Sequence, residues 1–276
     1  MAIELKSRPA LDGLSPPAAL RRIVDHSVQQ ILANAAGIAG GSDEPELIHE
    51  MRVGIRRLRS ALKLFSRWDD EAASAASTWD ECLAGYAAAL GEIRDRRIVD
   101  TELFPRLAQL GAPVPAMPPG PSQQALAARL RGRDFTLLML DLQAFAHGPV
   151  PQDAPPLRPR AVRRRLARFE ARLRAEAADF PAADDSERHR LRKRFKRLRY
   201  GIELAGSLLP RKKTRQRLAR LKRVQDALGR LNDMAQAQRM FDGLGAAFAA
   251  GWAAGQKEAL AAAAERAVRR WLADDD

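Results

Sequence analysis

Leu47-Ile-His-Glu-Met-Arg-Val-Gly-Ile-Arg-Arg-Leu-Arg-Ser-Ala-Leu-Lys-Leu-Phe65 decides how the chain reads. Advanced at about 100° per residue, it resolves into two stripes. Met51, Ile55, Leu58 and Leu62 fall on one face. His49, Arg52, Arg56, Arg59 and Lys63 fall on another, within an arc of about 80° set by the 3.6-residue period. Arg67 returns to the azimuth of His49, so the expected ladder spans about five turns, roughly 27 Å. Apolar residues at this spacing require a core on one side. Cations at the same spacing on a second side require a counter-charge.

The stretch recurs later in the chain. His49-Glu-Met-Arg-Val-Gly-Ile-Arg-Arg-Leu-Arg59 aligns without a gap on His189-Arg-Leu-Arg-Lys-Arg-Phe-Lys-Arg-Leu-Arg199. The histidine, Arg52/Arg192, Arg57/Arg197, Leu58/Leu198 and Arg59/Arg199 are identical. Arg56/Lys196 keeps the charge, and Met51/Leu191 and Ile55/Phe195 keep the apolar face. Downstream, Leu90-Gly-Glu-Ile-Arg-Asp95 matches Leu228-Gly-Arg-Leu-Asn-Asp233, and upstream Leu20-Arg-Arg matches Val162-Arg-Arg. The spacing predicts an internal duplication. The copies differ where Lys63 becomes Glu203 and Arg94 becomes Asn232. Lys193, with Arg190 and Arg194, adds charge in the second.

Composition agrees with a helical, anion-seeking protein. Of 276 residues, 46% are apolar and only 5% aromatic, and runs of β-branched residues are missing. An all-α fold follows. The net charge of +13 is uneven. Leu157 to Arg230 holds 25 Lys or Arg against 8 Asp or Glu, and the remainder holds 22 against 26. A polyanion is the natural partner for the basic part. Cys82 is alone, so no internal disulfide and no cysteine metal site is expected. His49-Glu50 is followed by Arg52 and Val53 where a zinc motif would need a second histidine, so neither a metal nor a cofactor is expected. The Ala-rich run Leu244 to Ala264 is interrupted by Gln256, Lys257 and Glu258, which argues against a membrane span and for a cytoplasmic protein.

Punctuation by Gly and Pro places the elements. Residues 1–14 read as a leader. Ser15-Pro16 reads as a helix N-cap and first position, with the helix continuing to about Ala36. The ladder helix starts at Ser42 or Asp43. A third helix covers about 70–110, with Gly91 or Pro105 as candidate breaks, and a fourth about 122–146. The Pro-rich stretch 147–159 separates the halves 15–146 and 160–276. The second half repeats the order: a helix to Ala178, a ladder helix from Asp184 to Leu209, a long helix over 212–241, and a last one over 254–272. Each half therefore reads as a four-helix bundle, with the two related by a pseudo-twofold.

The succession HxxRxxxRRLR, LGxxRD, HxxRxxxKRLR and LGxLND resembles the CHAD family, over about residues 15–273. That resemblance implies two four-helix bundles and a non-catalytic domain. It also implies that inorganic polyphosphate is held in a central basic groove or pore, with association to polyphosphate granules. The ladder chemistry fits such a ligand. Polyphosphate is linear, charged at about every unit and without bases, so it calls for repeated Arg forks and Lys point charges along a line. The expected binding residues are His49, Arg52, Arg56, Arg59, Lys63, His189, Arg192, Lys193, Lys196 and Arg199, with Lys222 and Arg223 from the long helix. Arg57 and Arg197 lie about 100° off the ladders, and with Asp95 and Asp233 they are expected to orient them. The alternative reading is a nucleic-acid-binding helical protein, which the high pI of about 10.8 also suits. An enzyme acting on polyphosphate would need a carboxylate cluster to hold metal, and the sequence offers none.

Overall fold

The computed structural model describes residues 9–120 and 122–274. Residues 1–8 of the expected leader lie outside the described residues. The described chain is helical, without strand: α1 (Pro16–Ala39), α2 (Pro45–Phe65), α3 (Asp70–Ile98), α4 (Phe104–Gln109), α5 (Gln123–Arg131), α6 (Arg133–His147), α7 (Pro159–Ala178), α8 (Asp185–Leu204), α9 (Arg211–Gly243) and α10 (Ala247–Ala273). A π-helical turn over Val99–Leu103 joins α3 to α4. It ends two residues before Pro105, which cannot donate its backbone nitrogen. Gly91 does not break the helix.

The fold is all-α, as expected, with adjustments at the ends of elements. Ser15 caps α1 by accepting from the Ala18 amide at 3.5 Å. The expected fourth helix is two, because Gly132 is extended (φ −71°, ψ 158°) between α5 and α6. The ladder helix α2 stops at Phe65, so Arg67 sits in a short 3-10 turn and does not extend the ladder. α10 starts at Ala247, earlier than the expected Ala254. Gly245 (φ 66°) turns the chain there, and the alanines after it are strong helix formers.

Two compact units make up the chain. The first comprises residues up to Asp95, Gly120–Leu166 and Tyr200–Arg211; the second comprises Arg96–Pro119, Ala167–Arg199 and Lys212 onward. Their boundaries fall within α3, α7, α8 and α9 and in the loop between α4 and α5.

In the first unit, α1 packs on α2, α5 and α6. Leu20, Ile23, Val24 and Ile31 of α1 are fully buried, as are Met51, Ile55 and Leu58 of α2, with Leu62 1% exposed. The apolar stripe of the opening stretch is thus the core face. Gly54 sets the closeness of α1 and α2, since a Cβ there would lie 3.0 Å from Ile31 Cγ1. Arg21 is buried and clamps this unit. Its Nε donates to Asp69 at 3.0 Å, Nη2 to Glu71 at 2.9 Å, and Nη1 to the carbonyl of Phe145.

In the second unit, one core cluster joins Val99, Leu103 and Leu107 to Met234, Ala237 and Phe241 of α9 and Ala249, Ala250 and Ala253 of α10. Phe195 of α8 is fully buried and meets Trp271 of α10 edge-on, with ring centroids 4.7 Å apart. Charged pairs surround that core. Arg217 pairs with Glu170 and Arg194 with Glu176.

Candidate cationic ladders

Each ladder lies against a long helix of its own unit, and the pairing is in register. Arg94 of α3 acts electrostatically on His49 of α2. Three residues forward from His49 is Arg52. Three residues back from Arg94 is Gly91, where a Cβ would lie 2.8 Å from Arg52 Nη1. Eleven residues forward from Arg52 is Lys63, and eleven back from Gly91 is Asp80, which Lys63 Nζ meets at 2.8 Å. Forward steps on one helix matched by backward steps on the other define an antiparallel pair, and the ladder faces its seam.

Asp80 also accepts both arms of Arg59, from Nε at 2.8 Å and Nη2 at 3.2 Å. One carboxylate therefore ties two rungs into a fork. Its burial raises its pKa, but the hydrogen bonds and charges of Arg59 and Lys63 outweigh that and hold it below its ordinary 3.8. Asp80 stays ionised and fixes the direction of both cations. Arg56 is partly buried, and its Nε makes no hydrogen bond. Arg57 points elsewhere. Its Nη1 donates to Gln30 Oε1 at 2.9 Å, and Gln30 donates in turn to Glu50, so Arg57 braces α2 against α1.

The second ladder also faces an antiparallel helix: six residues forward from His189, the carbonyl of Phe195 accepts from Gln225 Nε2 at 2.9 Å, seven residues back from Asn232. His189 Nδ1 pairs with Asn232 Oδ1, and Arg192 Nη2 lies 3.6 Å from Asp233. Three residues back from Asn232 is Gly229, the counterpart of Gly91, but a Cβ there would meet nothing within 4 Å. Arg194 is turned toward α7, pairing with Glu176 and stacking over Phe169 at 5.3 Å. Arg197 lies over the same ring at 6.0 Å. Arg190 is exposed beside Glu187 at 3.7 Å. Lys193, Lys196 and Arg199 lie on α8, each with partners in the fold.

The two residues expected from α9 separate. Lys222 pairs with Asp226 at 2.6 Å on the side that carries Asp233. Arg223, one residue on, is about 180° from Asn232 by the 3.6-residue period. It lines a groove with α10 instead.

Both ladder histidines have a pKa below the ordinary 6.5. For His49, burial is the largest cause; Arg94, Arg56 and Arg52 push the same way and Glu46 opposes. For His189, burial again leads. The Asn232 hydrogen bond raises its pKa, and Lys193, Arg192 and Arg239 lower it. Each imidazole is thus a neutral first rung held among cations, which is a place where an added anion would favour a proton.

Asp80, the Gly91 contact and Asn232 were not expected from the sequence. Their signal is the antiparallel register, which can be counted once one facing pair is known. Among the described residues, no three His, Cys, Asp or Glu side chains group as a metal site. No helix of those residues is long and apolar enough to cross a membrane.

Comparison with known proteins agrees with the motifs. Residues 22–242 match the CHAD domain. The crystal structure of the CHAD domain from the plant Ricinus communis is similar over 100% of this chain and 96% of that chain, with a TM-score of 0.77 and 27% sequence identity. No curated protein matches.

Proposed function

Starting from the chain's membership of the CHAD domain family, we propose that it binds inorganic polyphosphate through the two cationic ladders and carries out no chemistry on it. The observation that supports this reading is the doubled ladder. On α2 and again on α8, a neutral histidine heads a row of Arg and Lys braced against an antiparallel helix. A linear ligand with evenly spaced charges makes the same contact at each rung. The two ladders together would hold it in the basic groove that family resemblance implies, which is also the feature that would carry the protein to polyphosphate granules.

Bracing has two effects on affinity: it orients the rungs, and it sets a carboxylate beside the ligand, whose repulsion is the larger effect. Arg59 and Lys63 already share Asp80, so they are oriented before the ligand arrives and lose less side-chain freedom on binding. Each keeps further donors for phosphate oxygens. Single-stranded nucleic acid is the weaker reading, because its sequence-independent binding uses stacking platforms. Phe195 and Tyr200, the two aromatics of the second ladder, are 0% and 3% exposed.

The test is competition. Long-chain polyphosphate, double-stranded DNA and single-stranded RNA are titrated at matched phosphate concentration and fixed salt. The expected result is preferential binding of polyphosphate, with an affinity that falls steeply with salt and little binding of orthophosphate. Preference for either nucleic acid would reverse the reading. Phosphate release from polyphosphate in the presence of Mg²⁺ or Mn²⁺ would overturn its non-catalytic part.

A further inference from the structure

Away from the ladders, the second unit contains a groove of about 600 Å³ between α9 and α10. Arg220 and Arg223 stand on one wall and Arg266 and Arg270 on the other. They are three and four residues apart on their helices, the spacings that put side chains on one face. The floor includes Ala263 and Ala267, whose small side chains leave the space open.

We infer that this groove is a second anion site, independent of the ladders, which takes a compact run of linked phosphates. Among the described residues, the one carboxylate lining it is that of Asp274, 3.3 Å from Arg220 Nε. Arg223, Arg266 and Arg270 make no ion pair among those residues. Among the described residues, four guanidinium groups outweigh one carboxylate and the partial negative charge at the C-terminal end of α10. A concave surface with such an excess concentrates counter-anions.

The end of α10 is fixed before a ligand arrives. Arg174 donates to the carbonyls of Leu272 and Asp274 at 3.0 and 2.8 Å and lies over the Trp271 ring at 4.7 Å, which pins the end of α10. The chemistry of the ligand follows from the lining. Two facing pairs of planar, five-donor guanidinium groups suit several phosphate groups in one molecule better than a single one. Trp271 is 4% exposed, so the groove has no aromatic face on which a base could stack. A free oligophosphate and a segment of long-chain polyphosphate share this chemistry. Asp274 occupies the position of the first phosphate oxygen at Arg220, and a ligand must displace it there.

The probe is sodium tripolyphosphate, titrated calorimetrically into the full chain at fixed salt. Arg266→Gln/Arg270→Gln alters two exposed side chains and is expected to weaken binding by about 10-fold or more. The charge-matched control Arg106→Gln/Arg133→Gln is expected to change it by less than about 2-fold, as bulk charge alone would. Asp274→Asn is expected to tighten it by about 3-fold. In the ladder variant Arg52→Glu/Arg192→Glu, tripolyphosphate binding should persist and remain sensitive to Arg266→Gln/Arg270→Gln. Unchanged binding in Arg266→Gln/Arg270→Gln, or an equal loss in the control, would overturn the site. Loss of tripolyphosphate binding in the ladder variant would place it at the ladders instead. Repeating the series with long-chain polyphosphate separates the sources. Weakening by Arg266→Gln/Arg270→Gln there means that a polymer segment also enters the groove, whereas no change means that it takes free oligophosphate alone.

Discussion

At Asp80, one carboxylate holds two ladder cations, and the competing effects can be weighed. The side chains of Asp80, Arg59 and Lys63 are 15%, 29% and 39% exposed, so screening reduces the pairing to about 1 kcal/mol. Asp80→Asn should therefore lower stability by about 1 kcal/mol in urea unfolding. It should also strengthen polyphosphate binding, by removing a negative charge from the ligand's path. Weaker binding in a folded Asp80→Asn would mean that orientation of the rungs outweighs that charge. Because its pKa lies below 3.8 in the folded protein, the stability Asp80 contributes is present above that value and is lost as pH falls through the folded pKa. The histidines act in another window. His49 and His189 have folded pKa values below 6.5, so stability is full above 6.5 and falls as acid forces them to protonate. A phosphate beside them reverses the preference, and the complex takes up protons. Polyphosphate affinity should rise as pH falls from above 6.5 toward the free-state pKa values, beyond any rise in a His49→Gln/His189→Gln variant titrated in parallel. Equal pH dependence in the two proteins would remove the histidines from the site.

Between elements, the decisive feature is the antiparallel register of each ladder helix with its long partner. The two Leu-Gly motifs are the same in sequence but not in surroundings. Gly91 makes room for Arg52, while Gly229 faces open space. Gly91→Ala should push the flexible end of Arg52 aside, leave stability near wild type and weaken polyphosphate binding by about 3-fold or more. Gly229→Ala should leave binding unchanged and raise stability by up to about 1 kcal/mol, the helix-propensity difference. Equal effects of the two on binding would argue against a role for the Gly91 contact. This asymmetry marks what could be read in the letters. Met51, Ile55 and Leu58 were legible as core because burial follows the helical period. The ladders were legible for the same reason. Asp80 and Asn232 were not, since a partner on another helix is fixed by register and not by its own spacing. Lys222 and Arg223 are neighbours in sequence, yet about 100° apart around α9, and only Arg223 lines the groove with α10. The split at Gly132 and the early start of α10 depend on single glycines, whose conformation the surrounding pattern leaves open.

For the molecule as a whole, the net charge of +13 is organised and not diffuse. Several of its arginines are already committed: Arg21 to Asp69 and Glu71, Arg194 to Glu176, Arg217 to Glu170. They hold helices together and are not available to a ligand. On the proposed reading, the cations that meet polyphosphate are those of the ladders, with the α9–α10 groove as a separate anion site. This division predicts that affinity for polyphosphate follows particular rungs and not the total charge. The most direct measurement is therefore titration of long-chain polyphosphate into Arg52→Glu/Arg192→Glu, at one salt concentration. Circular dichroism and thermal unfolding establish that the variant is folded, and Arg56→Gln/Lys196→Gln replaces it should it fail to fold. A ladder site predicts at least about a 100-fold loss of affinity, since two charge-assisted contacts are each reversed. It also predicts that Arg106→Glu/Arg133→Glu, with the same change in net charge, loses far less. Near-wild-type binding by the folded ladder variant, or an equal loss in the charge-matched one, would contradict it.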